Sequence, residues 1–352
     1  MKIAYFLEST ALCGGVKVVM NQAVALSKRG HDVVLFSREA YPSWFGGNVP
    51  FVHVDGADPF LYAAESRNFD FLIATTLAHI PELSRFADRL VHLVQGYEGD
   101  YSETKGMEDI ITRCYSMEIP KITVSRELAS RLSALYPKGR FLSCGQGLEH
   151  HLFYPRGGHW TGTDPAFNGN SPARTLDTVF LVGVFTISIK NIGDGLRAFQ
   201  GASRKLPNLK LVRISTVDTR LEEECLTGVR AHEYHVHLNP DRVGDIFRAS
   251  NGIFLSPSSS GEGFGLPALE AMACGIPAVL TDIPSYRDFG YPRDYALFVP
   301  PGDVDAMAHA VAGLSRDRDL GSRLIKRGLD VAGRYSYEKV AEKLEELLLN
   351  VR

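Results

Sequence analysis

Two glutamates eight positions apart, Glu262 and Glu270, stand in the segment SPSSSGEGFGLPALEAMACGIPAVLTD, residues 256–282. An apolar run ends at Ser256 and a Ser/Gly loop follows. A helix is expected from about Leu266, with Pro267 in the first turn, where a missing N–H costs nothing. Gly263 and Gly265 let the backbone come close to a ligand, and the unpaired N–H groups and dipole of a helix start favour an anion such as a diphosphate. Glu262 then sits at the helix mouth and Glu270 within the helix. A carboxylate inside the helix can accept from both hydroxyls of a ribose. One at the mouth can hold a sugar hydroxyl or balance positive charge at an anomeric carbon. Taken singly, each reads as a solvated carboxylate; with the loop and the helix, the pair reads as a nucleotide-sugar site.

Other residues carry weaker chemistry. Lys190, in VGVFTISIKNIGDG, lies seven residues after Gly183, and by itself it is a solvated lysine at a helix start. Gln95, in the run Val94-Gln95-Gly96-Tyr97-Glu98, can orient a ligand by hydrogen bonds but cannot titrate near neutral pH; the plain alternative is a strand end with Tyr97 packed beneath it. The Asp303-Val304-Asp305 and Asp317-Arg318-Asp319 triplets have the D-x-D form of a metal site. They fall beside expected helices, where Asp303 reads as an N-cap and the second pair as an exposed helical turn. No metal site is expected. His79, His92, His150 and His151 read as structural or surface residues.

The bulk numbers exclude several classes. With 352 residues, 45% hydrophobic and 22% charged, the chain suits two α/β domains, and a net charge of −3 speaks against nucleic acid as a partner. The five cysteines are scattered and form no C-x-x-C, the pattern of reduced thiols. The first residues, MKIAYFLEST, read as a strand rather than a signal peptide, and no run approaches the ~20 apolar residues of a membrane helix. A cytoplasmic protein, at most peripheral to a membrane, is expected.

Short apolar runs alternate with amphipathic stretches in both halves. In the first, strands are expected at 3–7, 32–36, 69–75, 90–95 and 122–125, with helices at 16–28 and 126–135, the latter capped by Ser125. Residues 156–175, rich in Gly, Pro, Asn, Ser and Thr, read as a linker. Strands are then expected at 178–182, 209–214, 235–238, 252–256 and 278–281, with helices at 193–206, 304–314 and 337–350. The fold class is therefore α/β. Two Rossmann-like domains are expected at 1–155 and 176–336, with an inter-domain cleft, and residues 337–352 cross back to the first.

The segment EGFGLPALEAMACGIPAVLTD closely resembles the signature of the retaining glycosyltransferases of family 4, two glutamates separated by seven residues. Gly14-Gly15-Val16 with the Arg29-Gly30-His31 turn is similar to the family's opening. Gly145-Gln146-Gly147-Leu148-Glu149 through Pro155, then 299–303 (VPPGD) and Tyr335-Ser336-Tyr337, resemble its later landmarks. The QGYE run resembles a subgroup with rhamnosyltransferase-like members, in which glutamine replaces the usual histidine.

The resemblance implies the GT-B fold and transfer of a hexosyl or deoxyhexosyl group with retention, using neither metal nor cofactor. The donor is a UDP, dTDP or GDP sugar and the acceptor a hydroxyl of a saccharide or lipid-linked molecule, in cell-surface polysaccharide or glycoconjugate synthesis. Glu262 would contact the donor sugar and Glu270 the ribose. Gly263, Phe264, Gly265 and Leu266 would hold sugar hydroxyls and phosphate through their backbone, and Lys190, with Gly14 and Gly15, would hold the diphosphate. Asn239 falls in the expected base-binding loop, residues 237–241, and Tyr97 and Glu98 are candidate acceptor or sugar contacts. The family's arginine directly after the glycine is Val184 here, which leaves Lys190 as the cation of that usual pair. Three rivals stand beside this reading: a nucleotide-sugar epimerase on the same fold, a nucleotide-sugar-binding homologue without activity and, weakest, an NAD(P)-dependent oxidoreductase, whose G-x-G-x-x-G is lacking at Leu12-Cys13-Gly14-Gly15-Val16 after the first strand.

Overall fold

The computed structural model describes residues 1–158 and 176–351. The linker expected at 156–175 lies almost entirely outside the described residues. Two compact units divide the chain, one of Met1–Gly147 with Ser336–Arg352 and one of Leu148–Tyr335.

The sheet of the first unit contains β1 (Lys2–Leu7), β2 (Asp32–Ser37), β3 (Phe51–His53), β4 (Phe71–Ala74), β5 (Leu90–Val94), β6 (Pro120–Thr123) and β7 (Arg140–Ser143). Its order is β3-β2-β1-β4-β5-β6-β7, every pairing parallel. The central strands are buried on both faces, which is why they read as unbroken apolar runs instead of alternating ones. The helix Gly14–Lys28 covers one face, with Val19, Met20 and Ala23 in the core. The last helix, Tyr337–Asn350, packs beside it. Val340, Ala341, Leu344 and Leu348 enter the same core, and Arg29 donates to Glu345 at 2.7 Å. Gly147 touches this helix too: a Cβ there would lie 2.5 Å from the Tyr337 ring.

The sheet of the second unit contains β8 (Thr178–Val182), β9 (Lys210–Ser215), β10 (Glu233–Val236), β11 (Gly252–Ser256), β12 (Ala278–Thr281) and β13 (Ala296–Val299). Its order is β10-β9-β8-β11-β12-β13, again all parallel. Strand order reverses between β8 and β11, where ligands bind open α/β sheets at the strands' C-terminal ends.

Several expectations shift. The first unit ends at Gly147, short of the boundary expected at 155. Leu152 O accepts from Arg248 at 2.8 Å, and the same guanidinium stacks 3.9 Å over the Tyr154 ring, so these residues are tied to the second unit. The strand expected at 235–238 lies at Glu233–Val236. The residues 318–319, expected as a helical turn, open a full helix, Arg318–Ala332, whose N-cap Asp317 accepts from Leu320 N at 2.9 Å. Ser125 and Asp303 cap their helices as expected, accepting from Leu128 N and Ala306 N.

Candidate functional site

The loops that follow β8 and β11, on either side of the strand-order reversal, hold the sequence's strongest candidates. After β8 the chain turns at Gly183 (φ +143°), passes through a 3₁₀ turn at Ser188–Lys190, and enters the helix Ile192–Ser203 through Asn191 in the left-handed region. After β11 it runs through Ser258 and Glu262 to the helix Leu266–Ala273. Ser259 N donates to Ile189 O at 2.8 Å, which pins the two loops together. Lys190 Nζ donates to Glu262 Oε2 at 2.6 Å, and Ser258 Oγ donates to the same oxygen at 3.0 Å. The glutamate of the strongest sequence motif and a lysine with a weaker signal, 72 positions apart, thus form one ion pair.

The helix Leu266–Ala273 begins with no side-chain cap on its first N–H groups, leaving backbone donors for an anion. Its entry depends on glycine. Gly265 has φ +92°, and a Cβ there would fall 2.1 Å from the buried Tyr286 ring. Phe264 packs away from the loop, 5.0 Å from the Phe289 ring and 5.6 Å from Tyr335, so only its backbone faces the task assigned to it. Glu270 lies on this helix at 7% exposure.

Beneath Glu262 runs a chain of hydroxyls. Ser256 Oγ lies 3.2 Å from Ser258 Oγ and 2.5 Å from the Tyr286 hydroxyl, and Thr281 Oγ1 donates to Ser258 O at 2.6 Å. Burial, and then the Glu262 charge, raise the Tyr286 pKa, so the phenol stays protonated and able to donate. Sequence reasoning passed over Ser258 and Tyr286. Ser258 had a signal in its place four residues before Glu262, whereas Tyr286 had none, since it arrives from the far side of β12.

Arg213 was missed as well. It lies in β9 at 0% exposure and pairs with Glu223 through Nε at 2.9 Å and Nη2 at 2.6 Å. It also donates to Leu181 O at 2.6 Å and Gly183 O at 3.0 Å, so it clasps the turn that leads to Lys190. Thr219 and Tyr234 hydroxyls complete the Glu223 carboxylate, each at 2.9 Å. A charged residue inside a buried strand was the available signal.

In the first unit Gln95, at the end of β5, lies beside the glycine loop, its amide atoms 3.5 Å from the place of a Gly15 Cβ. Gly14 has open space around it. Tyr97 and Glu98 are engaged within the unit: the Tyr97 hydroxyl lies 2.6 Å from that of Tyr136, and Tyr115 donates to Glu98 Oε2 at 2.5 Å. Burial raises the Glu98 pKa, partly offset by the Tyr115 hydrogen bond. Asn239 is exposed at the start of the helix Pro240–Ala249, and no hydrogen bond joins it to Lys190 or Glu262.

Among the described residues no group of three or more His, Cys, Asp or Glu is arranged to hold a metal, and no helix is long and apolar enough to cross a membrane. All five cysteines are free.

Residues 167–331 match the family model of glycosyl transferases group 1. The second unit thus carries the matched region, Lys190, Glu262 and Glu270 included. A curated relative, the phosphatidyl-myo-inositol mannosyltransferase of Mycobacterium leprae (strain TN), is 26% identical over 167 residues, 47% of this chain and 45% of that protein. The chain therefore spans less than half the length of that relative. Among solved structures, sucrose-phosphate synthase from Thermosynechococcus elongatus aligns with a TM-score of 0.79 and 16% identity, over 99% of this chain and 98% of that one. Anabaena Alr3699/HepE in complex with UDP-glucose aligns with a TM-score of 0.77 and 13% identity, over 99% and 100%. At these identities the likeness shows the fold, GT-B, with two Rossmann-like α/β units.

Proposed function

We propose that the protein is a glycosyltransferase that moves a hexosyl or deoxyhexosyl group from a nucleotide sugar to a hydroxyl of a saccharide or lipid-linked acceptor, with retention and without a metal ion. The observation that carries this reading is the meeting of Lys190, Glu262 and the uncapped start of the helix Leu266–Ala273 at the reversal of strand order. The family match over the same residues supports it. The mannosyl transfer named for the mycobacterial relative and the UDP-glucose bound by Alr3699/HepE favour a hexosyl donor. The QGYE run keeps a rhamnosyl-type donor in view.

In this reading Lys190 and the backbone N–H groups at Gly265 and Leu266 take the diphosphate, whose negative charge grows as the sugar leaves. Glu270 accepts from the ribose hydroxyls, and Glu262 from a hydroxyl of the transferred sugar. The bond broken joins the anomeric carbon to the phosphate oxygen, and the bond formed joins that carbon to the acceptor oxygen. The acceptor proton passes to the departing phosphate, which thereby serves as the base. Gly14, Gly15 and Gln95 are assigned to positioning. The free cysteines support a cytoplasmic setting.

Incubation with UDP, GDP, dTDP and ADP sugars tests the reading. A transferase releases nucleoside diphosphate slowly by hydrolysis, in excess EDTA as well as without it. Formation of a new sugar nucleotide would establish the epimerase instead, and neither outcome would leave a binding protein. Glu270→Gln should weaken donor binding by about 10- to 100-fold, the loss of charge-assisted hydrogen bonds worth roughly 1.5–3 kcal/mol. Unchanged calorimetric affinity would remove Glu270 from the ribose.

A further inference from the structure

We propose that Glu262 competes with the diphosphate for Lys190, so that the site holds an intact sugar nucleotide and expels the free nucleoside diphosphate left after transfer. This inference rests on the reading of the site as a nucleotide-sugar site. Its starting observation is that the ion pair is already made at 2.6 Å, with the lysine side chain 25% exposed and the carboxylate 8% exposed. With Val184 after Gly183, no arginine stands at that position to leave one cation for the phosphates and another for the carboxylate.

Both recorded hydrogen bonds to the Glu262 carboxylate arrive at Oε2, from Lys190 and Ser258. Oε1 takes none among the described residues. The Ser258 bond, backed by Ser256 and Tyr286, holds the carboxylate from behind, so Lys190 is the partner a ligand can displace. When a diphosphate draws Lys190 away, a largely buried carboxylate loses its cation beside a new anion, which is costly. An intact donor offsets that cost because a sugar hydroxyl can donate to Oε1. The free diphosphate brings no such hydroxyl, and Lys190 returns to Glu262. The pair thus distinguishes donor from product at the one point where they differ, the presence of the sugar.

Calorimetric titration of the wild type and Glu262→Gln with UDP, GDP, UDP-glucose and GDP-mannose tests this. The wild type should bind the sugar nucleotide more tightly than the matching free diphosphate. Glu262→Gln should bind the free diphosphate about tenfold more tightly than the wild type, the size of one charge-assisted hydrogen bond, and should bind the sugar nucleotide less tightly. On a Lys190→Ala background the same change should alter diphosphate affinity by less than about twofold, because the contested cation is gone. A wild type that binds free diphosphate as tightly as the donor overturns the proposal, and this measurement needs no variant to fold. A Glu262→Gln variant that binds diphosphate no better overturns it too, while leaving the site a nucleotide-sugar site. A tenfold gain that persists without Lys190 overturns it in favour of plain repulsion between carboxylate and phosphate. Failure of all four ligands to bind either protein would sink the site reading and this inference with it.

Discussion

Two of the cation–carboxylate pairs in the second unit are built for opposite ends. Arg213–Glu223 is sealed, at 0% and 3% side-chain exposure, with its guanidinium donors spent on Glu223 and on the carbonyls of Leu181, Ile214 and Gly183. Lys190–Glu262 sits at a loop junction at 25% and 8%, held by a single bond from a flexible lysine. A planar fork with every donor committed fixes a backbone turn, whereas a point charge on four methylenes can change partners. The sealed pair positions the Gly183 turn; the open one meets the ligand. The difference lies in how many bonds a ligand would have to replace.

The largest effect should come from the sealed pair. Arg213→Met leaves Glu223 buried without its cation and Gly183 O without its donor, and should cost about 3–5 kcal/mol of stability in denaturant unfolding. Adding Glu223→Leu should recover part of that loss, since no buried charge then remains. If Arg213→Met unfolds like the wild type, the clasp is incidental.

The open pair should show the reverse profile. Lys190→Ala should lower turnover by about 10²–10³-fold, the usual worth of one group that stabilises a leaving anion. Its melting temperature should fall by less than that of Arg213→Met, since the lysine side of this pair is open to solvent. Turnover above about a third of wild type, a loss below ~1 kcal/mol, would take Lys190 out of the chemistry.

Glu98 sharpens the contrast from the first unit, as a half-buried carboxylate held by a phenol in place of a cation. Burial raises its folded-state pKa above the ordinary 4.5, so its contribution is full below that pH and is lost as pH rises through the raised value. Above that ordinary value the wild type carries the cost of holding this carboxyl in its half-buried site. Glu98→Gln keeps an acceptor for Tyr115 and should melt at a slightly higher temperature at pH 7, the gap closing below about pH 4.5. A gap that widened in acid would mean that the carboxylate is favoured by its surroundings. This is the smallest effect of the three.

The strands that sequence pattern located well are the inner ones, such as β1, β8, β11 and β12, each buried along most of its length. The strands it missed outright, β3, β7 and β13, are sheet edges, and it placed the edge strand β10 and the inner strand β6 each two residues late. β3, β7 and β10 have no fully buried residue, whereas β13 is apolar throughout; pairing on one side alone sets the limits of an edge strand, as β9 does for Glu233–Val236. The helix Arg318–Ala332 was hidden by Gly321 and Gly328. The second has a packing reason, since a Cβ there would lie 3.2 Å from Met272 on the glutamate-bearing helix.

The sequence by itself determined the loop–helix segment with Glu262 and Glu270, the glycine at 265 and the place of Lys190 in the chain. These are local matters of spacing, helix starts and backbone freedom, which a few neighbouring residues decide. Tertiary structure alone decided that Lys190 and Glu262 touch, that Tyr286 lies under Gly265, and that Arg213 holds the Gly183 turn. Each of those contacts joins residues brought together by strand order, and strand order is a property of the whole sheet, since parallel neighbours need long crossovers whose sequence does not say which strand they will return beside.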